Sequence, residues 1–396
     1  MLCGMGCAPS VLDLGPVEAP PGAAPPREAP CAPACVGGRA CIDGQCTPHW
    51  LALRTDELLD PAPRVGHYAV WTGRELLVWG GRDPASPDPS RLYGDGYRFD
   101  PRSGRLRAMS SVEAPSPRFQ EGASTAVWTG REMIVWGGHG SSGGVSDGFA
   151  YLPEGDRWRP LGADPSLRRA SSVVFTGSEL LFFGGPLEAF PGLRFVLGTG
   201  LWLGVRSAPR QGPRQGQTAV WTGDQVLLWG GTDADGRLLA EGWRYDPRRD
   251  SWAPLATANT PDPRTDHQAV WTGEEMVLFG GRGARGELLA APAAYVPLED
   301  RWRTVEVLGA PSPRVSHMAV WTARGMVVWG GSDGRNTLAD GAVYDPWSDR
   351  WIPLAEAPAR EARRDARAVW TGTEVLIVAG TTEGPGRPSW LLRYQP

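Results

Sequence analysis

From residue 50 onward the chain is built of short apolar runs, four or five residues long, separated by Gly, Pro and Asp clusters. Ala69-Val-Trp71 is followed by Thr72-Gly73 and then by Leu76-Leu-Val-Trp79 and Gly80-Gly81. Runs rich in β-branched and aromatic residues between turn formers read as strands. The unit recurs, with its first aromatic at Trp71, Trp128, Phe175, Trp221, Trp271, Trp321 and Trp370, at intervals of 46 to 57 residues. Nine residues after each stands a glycine pair, replaced in the seventh copy by Ala379-Gly380.

A second signature is an aromatic followed seven residues later by an apolar residue, usually Trp. The pairs are Phe99/Leu106, Tyr151/Trp158, Phe195/Trp202, Tyr245/Trp252, Tyr295/Trp302 and Tyr344/Trp351. The seventh aromatic, Tyr394, lies two residues from the end and has no downstream partner, while Trp50-Leu-Ala-Leu53 stands unmatched at the other end. Each repeat therefore predicts four strands. Seven such sheets predict an all-β, seven-bladed propeller. Its last blade would be closed by the N-terminal strand at Trp50-Leu53.

The paired glycines, the spaced Tyr and Trp, the period near fifty and the approach Pro63-Arg-Val-Gly-His67 resemble the Kelch family over residues 47–396. The third repeat departs most, with Phe175, Phe183 and Phe195 in place of Trp or Tyr. The resemblance is to propellers like the galactose-oxidase central domain and to bacterial secreted proteins or lipoproteins. It implies a binding or interaction module presenting a rigid face to a protein or glycan, on fold-level analogy. The alternative it implies is a sugar-modifying enzyme of the sialic-acid mutarotase type on the same face. Copper-radical oxidase chemistry needs a Cys crosslinked to Tyr, and residues 47–396 contain no Cys.

Composition narrows the reading. The 53 glycines and 38 prolines look like a disorder signal, but 19 tryptophans do not accompany disorder. Net charge is −4, with no basic stripe of the kind nucleic acids require. All 40 basic residues are arginine, so Schiff-base lysine and phosphate-loop lysine chemistry are excluded. No apolar run reaches the ~18 residues of a membrane-spanning helix. No cofactor is expected, no catalytic constellation can be read, and a monomer is the expected state.

All six cysteines lie in the first 46 residues. Residues 1–30 read as a signal remnant and a Pro/Ala-rich linker, with Cys7 a lipidation candidate. Residues 31–46 carry Cys31, Cys35, Cys41 and Cys46. The cluster reads as two disulfides of open connectivity, with a four-thiolate zinc site the competing reading. Disulfides would place the chain outside the cytoplasm, secreted or lipid-anchored to the cell envelope.

Two polar series mark the loop face of the predicted propeller. An arginine precedes each inner strand, at Arg64, Arg118, Arg168, Arg214, Arg264, Arg314 and Arg363. An acid stands four residues before the third-strand aromatic as Asp95, Asp147, Glu241 and Asp340, but blades three, five and seven have Pro191, Ala291 and Trp390 there. A buried charge needs a partner. The default reading is that arginine and acid pair within each blade as scaffold; Arg168, Arg264 and Arg363, left without the repeat's own acid, are the candidate ligand-facing arginines, for a carboxylate or anionic sugar. His67, His267 and His317 share one repeat position and are further ligand candidates. Metal binding by them is not expected, because Ser and Gln fill the same position in other blades. The long connection 82–98 and the insertion around Phe119-Gln-Glu121 read first as ordinary loop drift, with a raised wall beside the pore at blades one and two as the alternative.

Overall fold

Inner strands end in Val-Trp or its equivalent because alternate residues must enter two different wedges between neighbouring sheets. In the computed structural model, Val70 packs toward blade two while Ala69 and Trp71 pack toward blade seven. The structure describes residues 39–42, 45–48, 50–53, 61–86, 88, 91–120, 125–164, 172–184, 192–206, 214–383 and 389–395. They form seven antiparallel blades and one separate hairpin.

Blade one orders Tyr68–Trp71, Leu76–Trp79, Gly96–Asp100 and Arg105–Ala108 from inside to outside. Blades three to six repeat that four-strand meander. Blade seven pairs Arg367–Trp370, Val375–Val378 and Leu391–Tyr394 with Trp50–Leu53, so the two chain ends share one sheet as expected. Trp50 lies directly opposite Tyr394. The seven-residue spacing has the same meaning everywhere. Phe99 faces Leu106, Tyr151 faces Trp158, Phe195 faces Trp202 and Tyr245 faces Trp252 across the two outer strands. A tight turn brings residues seven apart into one cross-strand pair.

Seven apolar clusters fill the seven wedges. One joins blade seven back to blade one through Leu376, Val378 and Trp390 against Leu76, Val78 and Phe99. The ring is thus closed by packing, not by a covalent bond. The outer pairs add directional ties. Tyr245 donates to Asp250 at 2.8 Å, Asp250 accepts the Arg206 backbone N–H at 3.0 Å, and Trp252 donates to the Arg206 carbonyl at 2.7 Å. Tyr344, Asp349 and Trp351 repeat this tie to Glu306. At the clasp, the Trp50 indole donates to the Ala355 carbonyl.

The glycine pair marks where blades come closest. Gly280 has φ +74°, and a Cβ there would lie 2.5 Å from the His317 ring and 2.8 Å from the Arg314 carbonyl. Only glycine combines that conformation with that approach. Blade seven keeps the left-handed backbone with Ala379 at φ 47°.

Blade two differs from the rest. Its second and third strands, Met133–Gly140 and Gly143–Leu152, run past the glycine pair, and Arg118–Phe119 pairs with His139–Gly140. The hairpin Arg39–Ile42/Gln45–Pro48 stands just ahead of the clasp strand, with Cys41 opposite Cys46.

Candidate functional site

The arginine series is the most regular polar feature of the loop face. Arg64, Arg214, Arg264, Arg314 and Arg363 each aim Nη1 at the carbonyl of the first residue of the glycine pair, at 3.0–3.2 Å. Arg118 makes the same approach to Gly137 at 3.5 Å. Nε turns back to the carbonyl two residues upstream, as in Arg264 to Asp262 and Arg314 to Ser312. Nη1 also reaches the main chain four residues before the third-strand aromatic, at Glu241, Ala291 and Asp340. These acceptors exist whatever side chain stands there. The arginine is therefore a latch tying the loop before the inner strand to the two middle strands.

Acids add to the latch where present. Arg64 pairs with Asp95 at 3.2 Å, Arg118 with Asp147, and Arg314 with Asp340 at 3.0 Å, while Glu241 stands 3.9 Å from Arg214. The expectation that Arg363 lacks a partner needs correcting. Its Nη2 donates to Glu361 at 2.6 Å, and Ser389 donates to the same carboxylate. Both Arg363 and Glu361 are buried. Burial alone would raise the Glu361 carboxyl, but Arg363 and Ser389 hold it below its ordinary range. The missed signal was an acid two residues before the arginine, where Ser116 and Ser312 also bond to their arginines.

Arg264 is different. It is fully buried, and Nη2 has no hydrogen-bond partner among the described residues. Burial pulls its guanidinium down to about 10, against the opposing pull of Asp262. The place its acid would take belongs to Ala291, which is exposed. Arg168 lies outside the described residues.

His67, His267 and His317 are all buried. No metal-holding group of His, Cys, Asp and Glu occurs among the described residues. His267 stacks edge-on to Trp229 and hydrogen-bonds Thr218 at 2.8 Å, and His317 stacks on Phe279. Each fills the gap beside the preceding blade's glycine. Burial, with Arg264 and His317 adding, lowers His267 to about 3, and burial with Arg314 lowers His317 to about 3. His67 is also lowered, by burial first and then by Arg367 and Arg64. Neutral, enclosed rings of this kind pack a seam.

The loop ends of blades one and two carry residues that the repeat pattern did not single out. The Arg82 guanidinium lies 5.5 Å from the Phe119 ring, and Phe119 lies 5.3 Å from His139. Tyr93 covers Arg64 at 4.6 Å. Tyr93, Phe119, Arg82 and His139 are all partly exposed. Phe119 and His139 face each other across the extended strand pairing of blade two, which no period announced.

The repeat, the latch and the closed ring now stand together. Residues 216–389 match the family model described as the KLHDC2/KLHL20/DRC7 Kelch-repeats domain. The chain is a seven-bladed propeller that is similar to the Kelch repeats over those residues. Mouse Kelch domain-containing protein 2 is 30% identical over 142 residues, covering 33% of this chain and 34% of that one. The human form is 30% identical over 152 residues, covering 35% and 36%. Human Kelch-like protein 34 is 28% identical over 211 residues, covering 49% of this chain and 31% of that one. The chain thus spans about a third of the length of the curated relatives it matches.

Proposed function

We propose that this propeller is a binding module that seats an acidic protein or glycan group over Arg264 on its loop face. The observation that carries this reading is the buried Arg264 Nη2, which has no partner among the described residues beneath the exposed Ala291. Four other blades place a carboxylate at that position. A carboxylate arriving from a ligand would complete the same charge-assisted bond. In a ring of seven, blade five stands across the axis from the junction of blades one and two. A ligand lying over the axis would meet Arg264 on one side and Tyr93, Phe119 and Arg82 on the other. Rigid scaffolds carry binding on such loops.

The test screens the full chain against acidic peptides and glycans and their neutralised counterparts. Binding is expected for the acidic forms and is expected to fall at least tenfold in Ala291→Asp, which supplies the blade's own carboxylate. Binding unchanged by Ala291→Asp would overturn the reading. The cysteine cluster supports an extracytoplasmic location, with Cys7 as the tether. Fractionation that leaves the chain in the cytosol would overturn that part.

A further inference from the structure

The seams between blades follow a pairing rule where the inner strands begin. The residue three before the first aromatic of one repeat meets the residue four before it in the next repeat. Ser172 of blade three accepts from Gln217 of blade four at 2.8 Å. Thr218 of blade four bonds His267 of blade five at 2.8 Å. Met318 of blade six and Ala366 of blade seven share one apolar cluster. Each of these seams joins groups that suit each other. The seam between blades seven and one instead sets Arg367 toward His67, whose ring the guanidinium helps to hold neutral. A guanidinium can only donate.

Arg367 begins the inner strand Arg367–Trp370. Ala368 and Trp370 pack toward blade six, and Val369 packs toward blade one. Strand alternation sends Arg367 the way of Val369, into the seam with blade one. Its Nε is enclosed and has no hydrogen-bond partner among the described residues, and neither ring nitrogen of His67 bonds to it. The acid that acts on it, Asp365, is exposed and forms no ion pair with it. Nearby arginines are provided for: Arg64 pairs with Asp95, Arg363 with Glu361 and Arg364 with Glu383. Burial draws the Arg367 guanidinium below its ordinary range, against the opposing pull of Asp365 and Tyr68.

Arg367 as a whole is partly exposed. Its strand is flanked by the inner strands of blades six and one, and Val375–Val378 covers its outer edge. The open side is therefore the central channel. Ser172, Thr218 and Gln268 stand at the same level, each opposite the residue just before its blade's glycine pair, and are partly exposed too. We propose that the channel mouth at Arg367 binds a small oxyanion of the carboxylate or phosphate class. The anion meets a planar fork of donors that no described residue satisfies, in a mouth whose other polar groups at that level are neutral. The site lies in the seam of blades seven and one, so it stands whether or not Arg264 of blade five takes an acidic ligand.

The test is equilibrium dialysis of the full chain against inorganic phosphate at constant ionic strength, with sulfate and acetate as competitors. It is run on the native chain and on Ala291→Asp, which fills the Arg264 position and separates the two readings. Saturable binding is expected in both, and adding Arg367→Met is expected to weaken it about tenfold or more. Methionine is chosen because Met318 already fills this position in blade six. Competition by acetate extends the site to carboxylates, and competition by sulfate alone restricts it to tetrahedral anions; both agree with the proposal. Phosphate binding unchanged by Arg367→Met overturns it, as does binding lost in Ala291→Asp or no saturable binding at all. Denaturant midpoints measured without phosphate check the fold. Arg367→Met should be at least as stable as the native chain, because it removes an enclosed and unpaired charge. A lower midpoint would mean that the guanidinium has a partner within the chain and would count against the site. Phosphate should raise the midpoint of the native chain, and the rise should vanish in Arg367→Met.

Discussion

Blades five and six are neighbours built on the same strand pattern, and they differ in what surrounds the Nη2 end of their arginine. Arg264 and Arg314 are both fully buried, and both donate to the first glycine of their pair at 3.1 and 3.0 Å. Both return Nε to a carbonyl two residues upstream. Blade six adds Asp340 and the Ser312 hydroxyl to Nη2, whereas blade five adds neither. The blade folds either way. The arginine is positioned by main-chain carbonyls, and the acid is an optional addition to a latch already set.

The largest effect that tests this comparison comes from removing the arginine itself. Arg314→Ala and Arg264→Ala each strand several carbonyls and leave a cavity in a close-packed loop. Losses of about 3–5 kcal/mol are expected, from about 1–3 kcal/mol per unsatisfied buried group plus the cavity. The two losses should agree to within about 1 kcal/mol, the usual worth of a half-exposed ion pair. Denaturant midpoints of the two variants measure this. A much larger loss for Arg314→Ala would make the acid, not the main chain, the anchor.

The next effect is shared by both blades and absent from blade four, where Gln217 takes the histidine's place. His267 and His317 are lowered to about 3 by burial. Unfolding releases them to about 6.5, so between these values the unfolded chain binds more protons and stability falls as pH falls. Each histidine contributes about 1.4 kcal/mol per pH unit well inside that window. Unfolding free energy measured from pH 7 down to 4.5 should drop steeply in the native chain. His267→Gln should flatten the slope by one proton. An unchanged slope would mean that the ring is already charged or solvated when folded.

These comparisons also explain what the sequence disclosed. The seven blades, the Tyr–Trp register and the clasp at Trp50 were legible because each is a spacing, and antiparallel turns convert spacing into cross-strand pairing. The partner of Arg363 was not legible in the same way. Glu361 replaces an acid that other blades bring from nearly thirty residues downstream, so the function is kept while the position moves. The histidines read as a rim from their shared position, but the depth of a side chain in a seam is set by the neighbouring glycine. The long connection and the insertion of blades one and two were visible in the sequence, while His139 was not, because extra strand length carries no periodic mark.

The smallest effects come from exchanging the acid between the two blades. Ala291→Asp should stabilise by about 1 kcal/mol, the low end of what a bare buried donor costs, and the gain should fade with added salt. It should also fade as pH falls through about 4, where a carboxyl protonates. The reverse change, Asp340→Ala, does not by itself recreate blade five, because Ser312 still accepts from Nη2 at 2.9 Å. Its cost should stay near ~1 kcal/mol. Only Asp340→Ala combined with Ser312→Ala leaves a buried Nη2 bare, and the cost should then rise to about 1–3 kcal/mol. If that double variant is no less stable than Asp340→Ala alone, a bare Nη2 is free of penalty in this setting. The Arg264 group would then have no energetic reason to recruit a ligand's carboxylate.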